Sequence, residues 1–149
     1  MKRHVRIRIG SKQAGQVQVQ HATGELYDKN GSYYLRYTEP DPEAGRSSDG
    51  EALAHAIGTG KTTATVKWDD THIKVIRHGD VSSELLFRSG TRTTGYYALP
   101  QGRMELELAT IGIKKSMNEG LGTLSWSYDL YSGGAHVGRI KLGLTIEAE

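Results

Sequence analysis

Thr123-Leu124-Ser125-Trp126-Ser127-Tyr128-Asp129-Leu130 alternates without a break: Leu124, Trp126, Tyr128 and Leu130 share one parity, and Thr123, Ser125, Ser127 and Asp129 share the other. An apolar period of two is a β-strand with one dry face and one wet face. Downstream, Ile140, Leu142, Leu144 and Ile146 interleave with Arg139, Lys141 and Thr145, and Gly133-Gly134 supplies the turn between the two runs. Upstream, Met104, Leu106 and Leu108 alternate with Glu105 and Glu107. A loop near Asn118 to Gly122 is expected before the strand at Leu124.

The same pattern extends toward the N-terminus. Val5, Ile7 and Ile9 alternate with Arg6 and Arg8, and Gly10 and Gly15 bracket an expected turn. Val17 and Val19 alternate with Gln16, Gln18 and Gln20, and the run continues through Leu26 and Tyr27. Asn30-Gly31 is a hairpin signal because both residues tolerate positive φ, and Tyr33, Leu35 and Tyr37 return from it. Ala64, Val66 and Trp68 form another face before the Asp69-Asp70 turn; Ile73, Val75 and Arg77 run on to Gly79-Asp80. Leu85 and Phe87 precede Gly90, and Tyr96-Tyr97 precede the turn Leu99-Pro100-Gln101-Gly102.

From Pro40 to Gly60 the alternation stops, and Pro, Gly, Ser and Asp take over, which is loop chemistry. One short helix is expected within 49–58: Ser48 and Glu51 suit a capping box and Gly58 a stop after Ile57. The whole reads as all-β: about 8–10 strands in a single antiparallel up-and-down β-barrel over residues 1–149, with a 40–60 loop or lid insertion.

Composition narrows the function. At 149 residues, 36% hydrophobic and 24% charged, the chain is long enough to close one core. The absence of Cys excludes disulfides and thiolate chemistry. Lys2, Arg3, Arg6 and Arg8 are followed by no apolar stretch of signal-peptide length, so a cytoplasmic protein without membrane contact is expected. A net charge of +2 does not call for nucleic acid.

No motif carries chemistry. Gly58-Thr59-Gly60-Lys61-Thr62-Thr63 has the end of a phosphate loop, but His55 stands where the first Gly belongs and a strand follows in place of a helix. His72 and His78 share a strand parity at about 20 Å, too far for one ion. Glu105 and Glu107 oppose the apolar face and read as solvated. No catalytic residue, metal ligand or cofactor is assigned, and an enzyme is not favoured. The basic face of the first strand, Arg6 and Arg8 with Lys12 beyond, suits contact with phosphate or an acidic partner, but its default reading is charge guarding a sheet edge.

Two polar residues fall on expected inward faces. Arg77 follows Ile73 and Val75, and His21 follows Val17 and Val19. A buried guanidinium requires an acceptor. Arg77 is therefore expected either to anchor a ligand oxyanion, or to close a barrel end through a Glu such as Glu25 or Glu39, or to snorkel to the rim. Tyr33, Tyr37, Tyr97, Trp126 and Tyr128 supply aromatic walls, which suit a cavity or a filled core.

Several stretches carry a family resemblance. These are Thr23-Gly24 with Tyr33-Tyr34-Leu35-Arg36-Tyr37-Thr38-Glu39, Ile76-Arg77-His78-Gly79, Tyr97-Ala98-Leu99-Pro100-Gln101-Gly102, Gly122-Thr123-Leu124 with Tyr128-Asp129-Leu130, and the strand from Gly138 to Ile146. Together they resemble the YwiB-like bacterial family of unknown function. The resemblance implies a cytoplasmic calycin-like (lipocalin-like) barrel and no assigned activity, cofactor or catalytic residue. The Pro40–Gly60 stretch departs from the family by its length. The leading expectation is a non-enzymatic barrel holding a small apolar or amphipathic ligand. Arg77 and His21 are its anchors, Tyr33, Tyr37, Tyr97, Trp126 and Tyr128 its walls, and residues 49–58 a cover. The alternative is a homodimeric interaction module, and the third reading is an enzyme at the barrel mouth.

Overall fold

The computed structural model describes residues 2–38, 62–79, 81–100 and 102–149. The expected helix at 51–57, the 40–60 insertion and the Gly-rich stretch ending at Lys61 lie outside them. The described residues form ten strands: β1 (Lys2–Gln13), β2 (Gln16–Lys29), β3 (Ser32–Thr38), β4 (Thr62–Trp68), β5 (His72–Gly79), β6 (Ser82–Arg88), β7 (Arg92–Leu99), β8 (Gly102–Asn118), β9 (Leu121–Ser132) and β10 (Ala135–Ala148). Each pairs antiparallel with its chain neighbour, and β1 pairs with β10 to close the sheet into a barrel. Among the described residues there is no helix.

Alternation becomes geometry along β9, where Leu124, Trp126 and Tyr128 are buried and Thr123 is exposed. Tight turns hold the register. At Asn30 and Gly31 φ is 54° and 84°, and Ala14-Gly15, Glu119-Gly120 and Gly133-Gly134 likewise have positive φ at both positions. Such turns match the right-handed twist of the strands they join. Two expectations are corrected here. β1 runs unbroken through Gly10 to Gln13, which pairs with Gln16. The expected loop at Asn118–Gly122 is a two-residue turn, with Asn118 opposite Leu121.

β8 carries a bulge between Thr110 and Gly112 that sends Ile111 outward. The inward set therefore passes from Leu106, Leu108 and Thr110 to Ile113 and Met117; one extra residue flips the parity of everything after it. At the β6–β7 seam only Ser82 to Glu84 pair, with Tyr96 to Ala98. Beyond that stretch the Thr93 hydroxyl donates to the Leu86 carbonyl.

Large side chains fill the interior. Tyr33 stacks on Trp68 at 5.7 Å between ring centroids, and Phe87 meets Trp126 at 5.6 Å and Tyr128 at 4.6 Å. Because β1 is bonded to both β2 and β10, its arginines guard no sheet edge, and that expectation falls.

Candidate functional site

β5 leaves the core at its C-terminal end: Ile73 and Val75 are buried, and Arg77 is half-buried, opposite Ala64 of β4 and Ser83 of β6. Strand alternation thus aims the guanidinium inward, as expected. Its Nη1 reaches Ser83 Oγ at 3.5 Å, a long and weak hydrogen bond. Of the two acids expected to serve it, Glu25 lies on the outer face and binds Lys2 at 3.1 Å and the Tyr27 hydroxyl at 3.1 Å. Glu39 lies outside the described residues.

Arg77 borders a partly open recess of about 60 Å³ together with Tyr37, Tyr97, Trp126, Tyr128 and Leu142. That volume suits about two waters or one small oxyanion. Trp126 is 3% exposed, and its indole Nε1 is buried with no acceptor. Burial pushes the Tyr128 phenol well above the usual phenol range; the neighbouring Tyr97 phenol adds to the shift and the Arg77 cation opposes it. No carboxylate is among the lining residues. A guanidinium and phenolic hydroxyls, which both donate and accept, border the void; the Trp126 N–H on the same wall is a donor only, and its complement is an acceptor oxygen.

Five of the seven expected site residues therefore meet: Arg77, Tyr37, Tyr97, Trp126 and Tyr128. Tyr33 does not join them. It lies at the other end of β3, stacked on Trp68, beside a separate recess of about 360 Å³ bordered by Arg3, Leu26 and Glu119. His21 is a correction. It is exposed on the outer face, paired in register with the exposed Arg8. Val17 and Val19, 65% and 43% exposed, lie on that same outer parity, while Leu26 is buried on the other. The expectation that puts these valines inward carries His21 with them, and both lie outside.

Ser83, buried and opposite both Arg77 and Tyr97, was not singled out, although its parity with Leu85 and Phe87 marked it as inward. Glu105 and Glu107 pair on the outer face with Arg103 at 2.9 Å and Arg92 at 3.5 Å. Among the described residues no group of three His, Asp or Glu could hold a metal ion. Nor is any helix there long and apolar enough to cross a membrane.

Residues 53–144 match the domain of unknown function DUF1934. The uncharacterized beta-barrel protein YwiB of Bacillus subtilis (strain 168) is 30% identical over 111 residues, covering 74% of this chain and 67% of that protein. The crystal structure of the ywiB protein from Bacillus subtilis superposes with a TM-score of 0.77 at 24% identity, covering 99% of this chain and 93% of the other. That likeness agrees with the closed barrel in architecture. With the profile matched over more than half its length, the chain belongs to the DUF1934 family of β-barrel proteins.

Proposed function

We propose that the protein is a cytoplasmic, calycin-like, non-enzymatic binder that receives the oxyanion head of a small amphipathic ligand in the recess at Arg77. The observation that carries this reading is the Trp126 indole nitrogen, buried without an acceptor on the wall that Arg77 also borders. An unsatisfied buried donor costs about 1–3 kcal/mol, and a bound carboxylate or phosphate oxygen recovers it. Size sets the mode. A void of about 60 Å³ is well below the ~300 Å³ at which ordinary ligand pockets begin, so only a head group enters. The apolar tail lies against half-buried Met104, Ile140 and Leu142, of which Met104 pairs with Tyr97 and Ile140 with Tyr128.

The test uses Trp126 as its own reporter, in a Trp68→Phe background that leaves one indole. The probes are straight-chain carboxylates from acetate to octanoate, together with inorganic phosphate. Saturable fluorescence changes that strengthen with chain length and vanish in Arg77→Gln are expected. If no probe produces a saturable change up to about 10 mM, a range that admits even weak millimolar binding, the reading fails.

A further inference from the structure

The outer surface of β10, β1 and β2 holds a second feature that the interior recess does not use. Gly10 of β1 stands in register opposite Gly143 of β10, with Val19 of β2 on one side and Ser125 of β9 on the other. The two glycines lie along a groove of about 330 Å³ bordered by Arg8, Lys12 and Lys141, with Val17 and Val19 on its wall. No carboxylate is among its lining residues.

Three facts bear on what this groove can hold. First, Lys2, Arg92, Arg103 and Arg139 each pair with a carboxylate. Among the described residues no ion pair engages Arg8, Lys12 or Lys141. Second, β1 is bonded on both flanks, so its cations do not block edge-to-edge pairing. Third, the register through Gly10 and Gly143 is unbroken. A Cβ at Gly10 would meet nothing within 4 Å, and one at Gly143 only the Ser125 Cβ at 3.9 Å. Neither close packing nor a bulge demands these glycines. Glycine within a strand also marks places where another chain or ligand comes close to the backbone.

We propose that this groove docks an extended acidic peptide segment of a partner protein. Charge complementarity selects an anion. The 65% and 43% exposed Val17 and Val19 select one with interspersed apolar side chains. Arg8 and Lys12 lie four strand residues apart, about 13 Å, and Lys141 stands in register with Lys12. Acidic residues at alternate positions of an extended peptide meet that spacing. Single-stranded nucleic acid fits less well, because it needs aromatic stacking surfaces and no aromatic residue is among the lining.

The experiment is fluorescence anisotropy with a short fluorescein-labelled peptide alternating glutamate and leucine, alongside its glutamine-for-glutamate version. Saturable binding of the acidic peptide alone, weakening as salt rises, is expected. The double variant Lys12→Glu/Lys141→Glu loses at least about tenfold in affinity, and Gly10→Val, which fills the groove floor from outside, also binds more weakly with an unchanged far-UV spectrum. The exposed charge reversals need no repacking, so they remain informative if Gly10→Val fails to fold. Equal binding by the charge-reversed variant overturns the proposal. So does the absence of saturation, or tighter binding of an oligouridylate of equal charge than of the peptide.

Discussion

Comparison of Trp126→Phe with Trp68→Phe tests the recess through stability alone. Both indoles are buried, at 3% and 1% exposure, but only Trp126 has a buried ring nitrogen without an acceptor. Exchanging an indole for a benzyl ring removes roughly 40 Å² of buried apolar surface, about 1 kcal/mol of transfer free energy at ~25 cal/mol per Å². The void left behind adds about 1 kcal/mol more, so Trp68→Phe is expected to destabilise by about 2 kcal/mol. Trp126→Phe incurs the same losses but deletes an N–H whose unsatisfied burial costs about 1–3 kcal/mol. Its net effect should therefore lie within about 1 kcal/mol of zero. Urea unfolding followed by far-UV circular dichroism measures both on one scale, and equal m-values show that the denatured states are comparable. The difference of about 2 kcal/mol corresponds to roughly 4–8 °C in Tm for a chain of this size. Equal destabilisation by the two substitutions would refute the reasoning, because the Trp126 nitrogen would then have an acceptor and the recess would want none.

Three further outcomes follow from the geometry. The raised phenol pKa of Tyr128 stabilises the fold fully below the unfolded phenol value of about 10, and that contribution declines as pH rises through it toward the folded value. Tyr128→Phe should flatten the alkaline fall in stability, and ultraviolet titration should show at least one of the eight tyrosines ionising only on unfolding; reversible ionisation of all eight with an unchanged fold would contradict this. Ala14 has φ of 52° in its turn, so Ala14→Asn should raise stability by about 0.5–1 kcal/mol, and a fall in Tm would count against the turn assignment. A Cβ at Gly122, where φ is +131°, would stand 2.2 Å from the Ser116 carbonyl oxygen. Gly122→Ala should cost more than about 3 kcal/mol, whereas Gly143→Ala should be neutral or stabilising by up to about 1 kcal/mol; denaturant midpoints distinguish the two.

The barrel was legible because its strands are wet on one side and dry on the other. Leu124, Trp126 and Tyr128 could be assigned inward without knowing any partner, and Asn30-Gly31 fixed a hairpin by its own conformational preference. The errors share a cause. Val17 and Val19 were read as core because alternation shows that two faces differ, not which one is covered, and there the outer face bears the valines. The β8 bulge at Ile111 left no local signature, since one extra residue costs only a ladder position. Arg77 could be placed inside by parity. The recess itself could not, because it is made by register: β5, β7 and β9 bring Arg77, Tyr97 and Trp126 to one void, and no single stretch of sequence encodes that meeting.

The contents of the barrel limit the kind of ligand that can be proposed for it. An interior occupied by Trp68, Phe87, Leu35, Leu108 and Leu124 cannot enclose a large apolar molecule without expelling side chains that hold the sheet together, at about 2–5 kcal/mol for each large residue lost. On the proposed reading, specificity then resides in a small polar volume. A barrel that served only as a scaffold would lose little with Phe at position 126, since the cost of burying an N–H without an acceptor offsets the packing of the indole. On the proposed reading, this local cost beside a guanidinium and the phenols of Tyr37, Tyr97 and Tyr128 is a departure of the kind found where a protein meets its ligand. The same logic locates the selectivity. On that reading, a ligand lacking an acceptor oxygen makes no hydrogen bond to Trp126 and gains no binding there. A carboxylate or phosphate of the same length gains the hydrogen bond and the charge of Arg77 together.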